Sequence, residues 1–146
     1  RSFGSYQRAK TVEKNISSAQ FVVNRLSKEL RTGTVVLPSS PSNGTSLVKF
    51  FDHSRNTCMQ YAFANGNLEI AQIDNSNLSS CTNSSQLSGG TVAVPSVSGS
   101  FTVVPSTASP QQVGRVTITV VITDADQRTT ALETTTSLRD YGYIGL

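Results

Sequence analysis

The chain has 146 residues, of which 14% are charged, and it carries a formal net charge of +3 at pH 7 with one His, one Met and no Trp. This length fits one domain that buries its own core, and two cysteines are too few for a disulfide framework or a four-ligand zinc site. The abundance of Ser, Thr and Asn beside few charges is typical of proteins outside the cytoplasm.

The positive charge is concentrated near the start of the chain. Residues 1–32 contain seven basic and two acidic side chains, whereas the remainder contains five basic and seven acidic ones. No stretch has the length of a transmembrane helix, and there is no signal peptide. Since the chain begins at Arg1 rather than Met, we expect it to be processed or truncated, with a targeting segment lost.

A long amphipathic helix is predicted from about Ser5 to Thr32. Apolar residues recur there at alternating spacings of four and three, which places them on one stripe of a helix: Val12, Ile16, Ala19, Val23, Leu26 and Leu30. Gly33 supplies a stop, and 28 residues would span about 42 Å. Because the stripe mixes Ala and Val with Leu, and no second helix is predicted, we expect it to pack on a sheet.

The rest of the chain has the composition and alternation of β-strands. A loop is predicted at residues 38–46 because Pro, Ser and Gly crowd there, and Asn65-Gly66 is a strong hairpin signal. The predicted strands are Leu47–Phe51, Thr57–Ala64, Leu68–Ile73, Thr91–Val94, Ser100–Val104, Val113–Thr123 and Thr129–Arg139. One helix followed by a meander and a later hairpin predicts an α+β fold, with the helix on an antiparallel sheet.

Cys58 and Cys81 are expected to form one disulfide, in preference to two buried thiols. Strand alternation puts Cys58 on the face opposite Met59, Tyr61 and Phe63. If that aromatic face packs on the helix, the disulfide lies on the outer side of the sheet and holds the loop at residues 75–85 there. Closing this loop would contribute about 3 kcal/mol.

Three segments, in this order along the chain, resemble the type IV pilin superfamily, in particular its minor pilins and the J-type minor pseudopilins of type II secretion systems. TVEKNISSAQFVVNRLSKELRTG is similar to the exposed half of the family's long helix, LVKFFDHSRNTCMQYAFANGNLEIAQID to its hairpin region, and ALETTTSLRD to its final strand. The resemblance implies one pilin-like domain over residues 1–146, with 1–33 as the second half of the long helix and 34–146 as an antiparallel sheet head. The family's apolar N-terminal segment is absent, and the polar start of the helix predicts that it was removed.

The function that the resemblance implies is architectural: a minor subunit that acts in filament initiation or at the filament tip, and is not an enzyme. Its partners would be other pilin or pseudopilin subunits and, through the missing segment, the inner or cytoplasmic membrane. No cofactor or small-molecule substrate is expected, and the location would be extracellular or periplasmic. Asp140, where the family often has Asn, and Glu69, where the pseudopilins often have Arg, leave the choice between pilus, secretion and DNA-uptake apparatus open.

A second class of function is a binding module displayed at the tip, either an adhesin or a DNA-uptake receptor. The side chains that would contact sister subunits or DNA phosphates are the basic ones of the helix, Lys14, Arg25, Lys28 and Arg31. Aromatic residues are not interleaved with these charges beyond Phe3, Tyr6 and Phe21, so stacking on bases is weakly supported. Contact with subunits is therefore preferred over contact with nucleic acid.

Two other groupings have a functional and an ordinary reading. Asp52-His53 among many serines suggests a hydrolase triad, but no nucleophile-elbow motif is present and such a grouping arises by chance in a Ser-rich chain. Asp124 and Asp126 could bind a cation through oxygen ligands, but hairpin turns favour Asp without any metal. A turn without metal is the preferred interpretation.

Overall fold

The backbone of residues 3–83, 85–123 and 127–139 is described by a computed structural model. Side chains are described for residues 16–82, 85–107, 109–123 and 127–139. In chain order, the elements are α1 (Phe3–Arg31), β1 (Gly33–Leu37), β2 (Ser42–Thr45), β3 (Leu47–Asp52), β4 (Thr57–Ala64), β5 (Asn67–Ile73), α2 (Leu78–Asn83), β6 (Thr91–Val94), β7 (Val97–Val104), β8 (Thr107–Ala108), β9 (Gln111–Gln112), β10 (Arg115–Thr123) and β11 (Thr129–Ser137).

The first sheet has five antiparallel strands in the order β1-β3-β4-β5-β6. Its centre is the predicted meander, and β4 covers the same residues as the predicted strand. The Asn65-Gly66 hairpin is confirmed: both residues have positive φ, 55° and 74°, as a two-residue turn of type I′ requires. Strand composition and turn chemistry were sufficient to locate these elements.

The second sheet has four strands in the order β11-β10-β7-β2. Its β10–β11 pair is the predicted late hairpin, in unbroken register from Arg115↔Ser137 to Thr123↔Thr129. β2 lies inside the stretch predicted to be a loop, where it pairs with β7. The chain crosses from the first sheet to the second between β1 and β2, returns between β2 and β3, and crosses again at Pro95-Ser96, between β6 and β7.

The core lies where the two sheets and α1 meet. The helix contacts β1, β3 and β6 of the first sheet and β10 and β11 of the second. The sheets also touch each other directly, since the Phe63 and Phe101 rings lie 5.1 Å apart between centroids. One continuous cluster of buried side chains therefore draws on all three layers.

The predicted fold class, a long amphipathic helix packed on an antiparallel sheet in a pilin-like α+β arrangement, is wrong. Of the residues described with their side chains, 53% lie in strands, which form two sheets, and 18% lie in helices. The helix that lies against the sheets is short, at residues 16–31. The physical reason is that β7 pairs with β2 and β10 and not with the first sheet, so the strands form two sheets. The helix therefore covers a mostly β domain and does not form half of it.

Within the described part of the chain, no helix combines the length and the apolar composition needed to span a membrane.

Candidate functional site

A buried carboxylate joins the last turn of α1 to the first sheet. Glu29 is only 8% exposed, and its Oε1 accepts a hydrogen bond of 2.5 Å from the Tyr61 hydroxyl on β4. Its Oε2 is paired with the Arg55 guanidinium, which follows β3, and lies 3.8 Å from Arg25 Nε one turn earlier on the helix. Both oxygens of Glu29 therefore have donors within the chain.

Asp52, at the end of β3, is the second buried acid of this region. Its Oδ1 accepts hydrogen bonds from Thr32 Oγ1 (2.7 Å) and from the Ser54 hydroxyl and amide (2.8 and 3.0 Å), while Arg55 Nε donates to its Oδ2 at 3.0 Å. Burial by itself would raise the pKa of Asp52, but the hydrogen bonds from Thr32, Ser54 and Arg55 outweigh it and leave that pKa below its ordinary value. Asp52 is therefore an ionised structural acceptor.

The Tyr61 hydroxyl is held in its protonated form. Burial raises the pKa of Tyr61 far above its ordinary value, and the neighbouring Glu29 carboxylate raises it further. Its ring is also stacked on Phe50, with centroids 6.1 Å apart. A neutral, fully buried phenol that donates to a carboxylate positions the helix and is not available as a general base.

The surface above these acids is positively charged. A cleft of about 370 Å³ lies there. Its lining residues are Arg25, Lys28, Glu29, Thr32, Asp52, Ser54 and Arg55. Its three cations, Arg25, Lys28 and Arg55, exceed the two buried carboxylates by one charge. Arg25 and Arg55 lie against those carboxylates, so the exposed Lys28 supplies the excess. Such a cleft attracts anionic groups.

The structure brings together three of the four basic residues predicted to contact a subunit or DNA. Arg25, Lys28 and Arg31 are all exposed on the same helix, whereas the side chain of Lys14 lies outside the described residues. Every exposed charged side chain between residues 16 and 31 is positive, because Glu29 is turned into the core.

An exposed aromatic residue adjoins this basic face. Phe21 is 69% exposed, and Val92 on β6 is 53% exposed. Both line a groove of about 560 Å³ between α1 and β6, together with Val22, Ile70 and Ala93. The importance of Phe21 was missed, although its position off the predicted stripe was the signal that could have revealed it.

The side of the helix facing the core follows the predicted stripe. Ala19, Val23, Leu26 and Leu30 are buried, and Ile16 packs against them, while the side chain of Val12 lies outside the described residues. Sequence reasoning missed Val22 and Glu29, which are also buried. Val22, Leu26 and Glu29 repeat the spacing of four and three, so the pattern itself contained this signal.

The disulfide between Cys58 and Cys81 is confirmed, and it lies on the outer side of the first sheet. There Cys58, Cys81 and Phe51 form a small buried cluster separate from the main core. On the same face, Lys49 is completely buried and its Nζ donates to Cys81 O (2.7 Å) and Ser85 O (2.9 Å). Burial lowers the pKa of Lys49.

A third attachment holds the same segment farther along. Gln60 Nε2 donates to Leu87 O at 3.0 Å, and the Leu87 amide donates back to Gln60 Oε1 at 2.7 Å. The segment from α2 to Leu87 is thus fixed to the outer face by one covalent bond, one buried ammonium group and one side-chain amide.

Asp52 and His53 do not form the pair that a hydrolase triad needs. Asp52, the last residue of β3, faces the helix end, where Thr32 donates to it. His53 begins the turn that follows, and its ring contacts Thr34 Oγ1 at 2.8 Å and the edge of Phe51. Asp124 and Asp126, weighed as cation ligands, lie outside the described residues. In the part of the chain that is described, no group of three or more His, Cys, Asp or Glu side chains could hold a metal ion.

The architecture and the site together define a class of protein: a mostly β, disulfide-closed domain that presents a basic helix face with an exposed aromatic residue. No protein-family model matches the chain, and neither a curated protein nor a solved structure shows a significant similarity to it. The functional argument therefore rests on the geometry of this surface.

Proposed function

We propose that the chain is a minor structural subunit of a type IV pilus or type II secretion pseudopilus, acting in filament initiation or at the tip. The observation that carries the proposal is the solvent face of residues 16–31 in α1. It combines Phe21, 69% exposed, with Arg25, Lys28 and Arg31 and no exposed acid.

This combination is what protein–protein contacts use. Aromatic residues and Arg are enriched among the side chains that contribute most to interfaces, and a phenylalanine left in water forgoes the free energy gained by burying it elsewhere. The unbalanced positive charge favours a partner with acidic groups and speeds encounter with it.

The disulfide supports a location outside the cytoplasm. Structural disulfides form and persist in oxidising compartments, and Cys58–Cys81 joins β4 to α2 with no free cysteine among the described residues. A subunit displayed beyond the cytoplasmic membrane fits this requirement.

Gene deletion and complementation in the source organism test the proposal. We expect deletion to reduce surface filaments or the secretion they drive, the wild-type gene to restore them, and Phe21→Ser with Arg25→Glu and Lys28→Glu to fail. Arg115→Glu, an exposed change on β10, is the matched control and should restore function. Equal thermal unfolding of the purified variants shows that the triple change acts at the surface. Unaltered filaments and secretion in the deletion strain would refute the proposal.

A tip-located binding module that holds DNA is the second candidate, because the same basic face can meet phosphates. Filter binding or fluorescence anisotropy of a DNA duplex at several salt concentrations separates the two. A DNA-binding role predicts that affinity falls steeply with salt. The slope of log affinity against log salt concentration should decrease in magnitude by about one for each phosphate-contacting cation removed, as in Lys28→Gln. Affinity indifferent to Lys28→Gln and Arg31→Gln would exclude this candidate.

A further inference from the structure

Of the four edge strands in the five-stranded and four-stranded sheets, three are protected against pairing with another strand. The edge strands β1, β2 and β6 share three features: they are only four or five residues long, their register with the neighbouring strand is interrupted, and a proline adjoins them. The prolines are Pro38 after β1, Pro41 before β2 and Pro95 after β6. Short length, irregular register and proline are the devices by which proteins blunt sheet edges.

The fourth edge strand, β11, has none of these protections. It is nine residues long, with the sequence TTALETTTS, and pairs with β10 without any register shift. It contains no Pro, Gly or Lys, and Glu133 is its only charge. A long, regular, Thr-rich edge has high β-propensity and is a template for a further strand.

The register shows which backbone groups face the open edge. The Leu138 amide donates to Gly114 O at 2.9 Å, so even-numbered residues exchange hydrogen bonds with β10 and odd-numbered ones direct their N–H and C=O groups away from it. The hydroxyls of Thr117 and Thr135 meet at 2.9 Å, as expected for a pair that exchanges no backbone bonds. The backbone groups of Ala131, Glu133, Thr135 and Ser137 therefore line the edge of the described sheet.

We propose that β11 is a dimerisation edge that pairs antiparallel with β11 of a second copy of this chain, centred on Thr135. This would join two four-stranded sheets into one sheet of eight strands through a two-fold, self-complementary contact. The inference goes beyond the proposed function and does not depend on it.

Charge selects the register. With Thr135 at the centre, Glu133 lies opposite Ser137 of the second copy and diagonal to its Arg139, within reach of a long side chain. Glu133 and Arg139 are both exposed; Glu133 lies in β11, and Arg139 follows Leu138, whose amide still donates to Gly114 O. A register centred on Glu133 would set two carboxylates directly opposite each other, which is destabilising. In the register centred on Thr135, Ala131 of one copy also lies opposite Arg139 of the other.

Sedimentation velocity of the chain from about 10 µM to about 1 mM tests the pairing. We expect a monomer–dimer equilibrium in the wild type and at least a tenfold higher dissociation constant for Thr135→Pro, which removes an N–H from the open edge and leaves the β10 ladder intact. Thr135→Val keeps that N–H and the branched shape, so this control should dimerise like the wild type. Urea unfolding of each variant verifies that its fold is kept.

The register has its own test by charge reversal. Glu133→Arg and Arg139→Glu should each weaken the dimer severalfold, whereas an equimolar mixture of the two variants should associate again, because every diagonal pair is then opposite in charge. A wild type that stays monomeric throughout overturns the proposal and leaves the edge to a strand of another protein. The proposal is also overturned if Thr135→Pro leaves the dissociation constant unchanged. It is overturned as well if the Glu133→Arg and Arg139→Glu variants do not associate when they are mixed.

Discussion

Glu29 shows how one side chain can have a role opposite to the one that helical charge patterning suggests. On an amphipathic helix an acid is expected in the solvent, yet this one is buried, where Tyr61 and Arg55 donate to it. A buried carboxylate without such donors would be strongly destabilising. The pair with Tyr61 therefore fixes how the end of α1 sits on β4, and it leaves basic side chains as the only exposed charges of residues 16–31.

We predict that Tyr61→Phe lowers the free energy of unfolding by about 2 kcal/mol at neutral pH, since a hydrogen bond to a charged acceptor is lost while the stacked ring is kept. The folded-state pKa of Tyr61 is raised above its ordinary 10.0, so this contribution is complete below pH 10 and is lost as the pH rises above it. Urea unfolding of both proteins between about pH 8 and about pH 11 measures the difference. A difference that stays constant over this range would contradict the prediction.

At the scale of elements, the segment from α2 to Leu87 depends on the sheet beneath it. Six residues of helix are too few to be stable alone. The disulfide would contribute about 3 kcal/mol by restricting the unfolded chain, but one covalent bond does not fix an orientation. Lys49 does so, because its ammonium group donates to Cys81 O near the end of α2 and to Ser85 O beyond it.

We predict that Lys49→Met lowers the free energy of unfolding by about 2 kcal/mol. Methionine has a shape similar to that of the lysine side chain, but it leaves the carbonyl groups of Cys81 and Ser85 without their charged donor. Amide exchange at Leu87 should accelerate while the disulfide remains formed. Lys28→Met is the matched control, the same substitution on the exposed helix face, and should change stability by no more than about 0.5 kcal/mol. Equal effects of the two changes would show that the buried ammonium does not hold this segment.

At the scale of the whole molecule, the two sheets approach each other closely at Gly99 on β7. A Cβ built at this position would lie 2.1 Å from Thr119 O in the same sheet and 2.7 Å from the Phe63 ring of the other sheet. Phe63 also packs on Phe101. A residue without a side chain is therefore needed where an aromatic ring of the first sheet lies on the backbone of the second.

We predict that Gly99→Ala destabilises the domain by about 3 kcal/mol or more, because Thr119 O is a backbone atom that cannot move without shifting a strand and the Phe63 ring would be displaced as well. Gly90→Ala is the control: its added Cβ would meet its nearest atom at 3.5 Å, an ordinary contact, and should change stability by no more than about 0.5 kcal/mol. Thermal unfolding monitored by circular dichroism measures both. A Gly99→Ala protein as stable as the control would contradict this packing.

The amino-acid sequence by itself determined the local elements. The stripe from Ile16 to Leu30, the alternation in β4 and the Asn65-Gly66 turn are set by interactions between residues near one another in the chain, so pattern and turn chemistry are enough to find them. The outer-face disulfide followed from alternation as well. At the site, the basic residues Arg25, Lys28 and Arg31 were found because they lie off the apolar stripe.

Only the tertiary structure decided how the strands divide between sheets, and this is where the predicted fold class failed. β2 has the composition of a loop and becomes a strand because β7, far along the chain, offers its edge; β-propensity yields to such pairing. The inward turn of Glu29 likewise depends on Tyr61 and Arg55, which lie 32 and 26 residues away. Contacts between distant residues leave no local pattern, and they set both the two-sheet fold and the unbroken positive charge on the exposed face of residues 16–31.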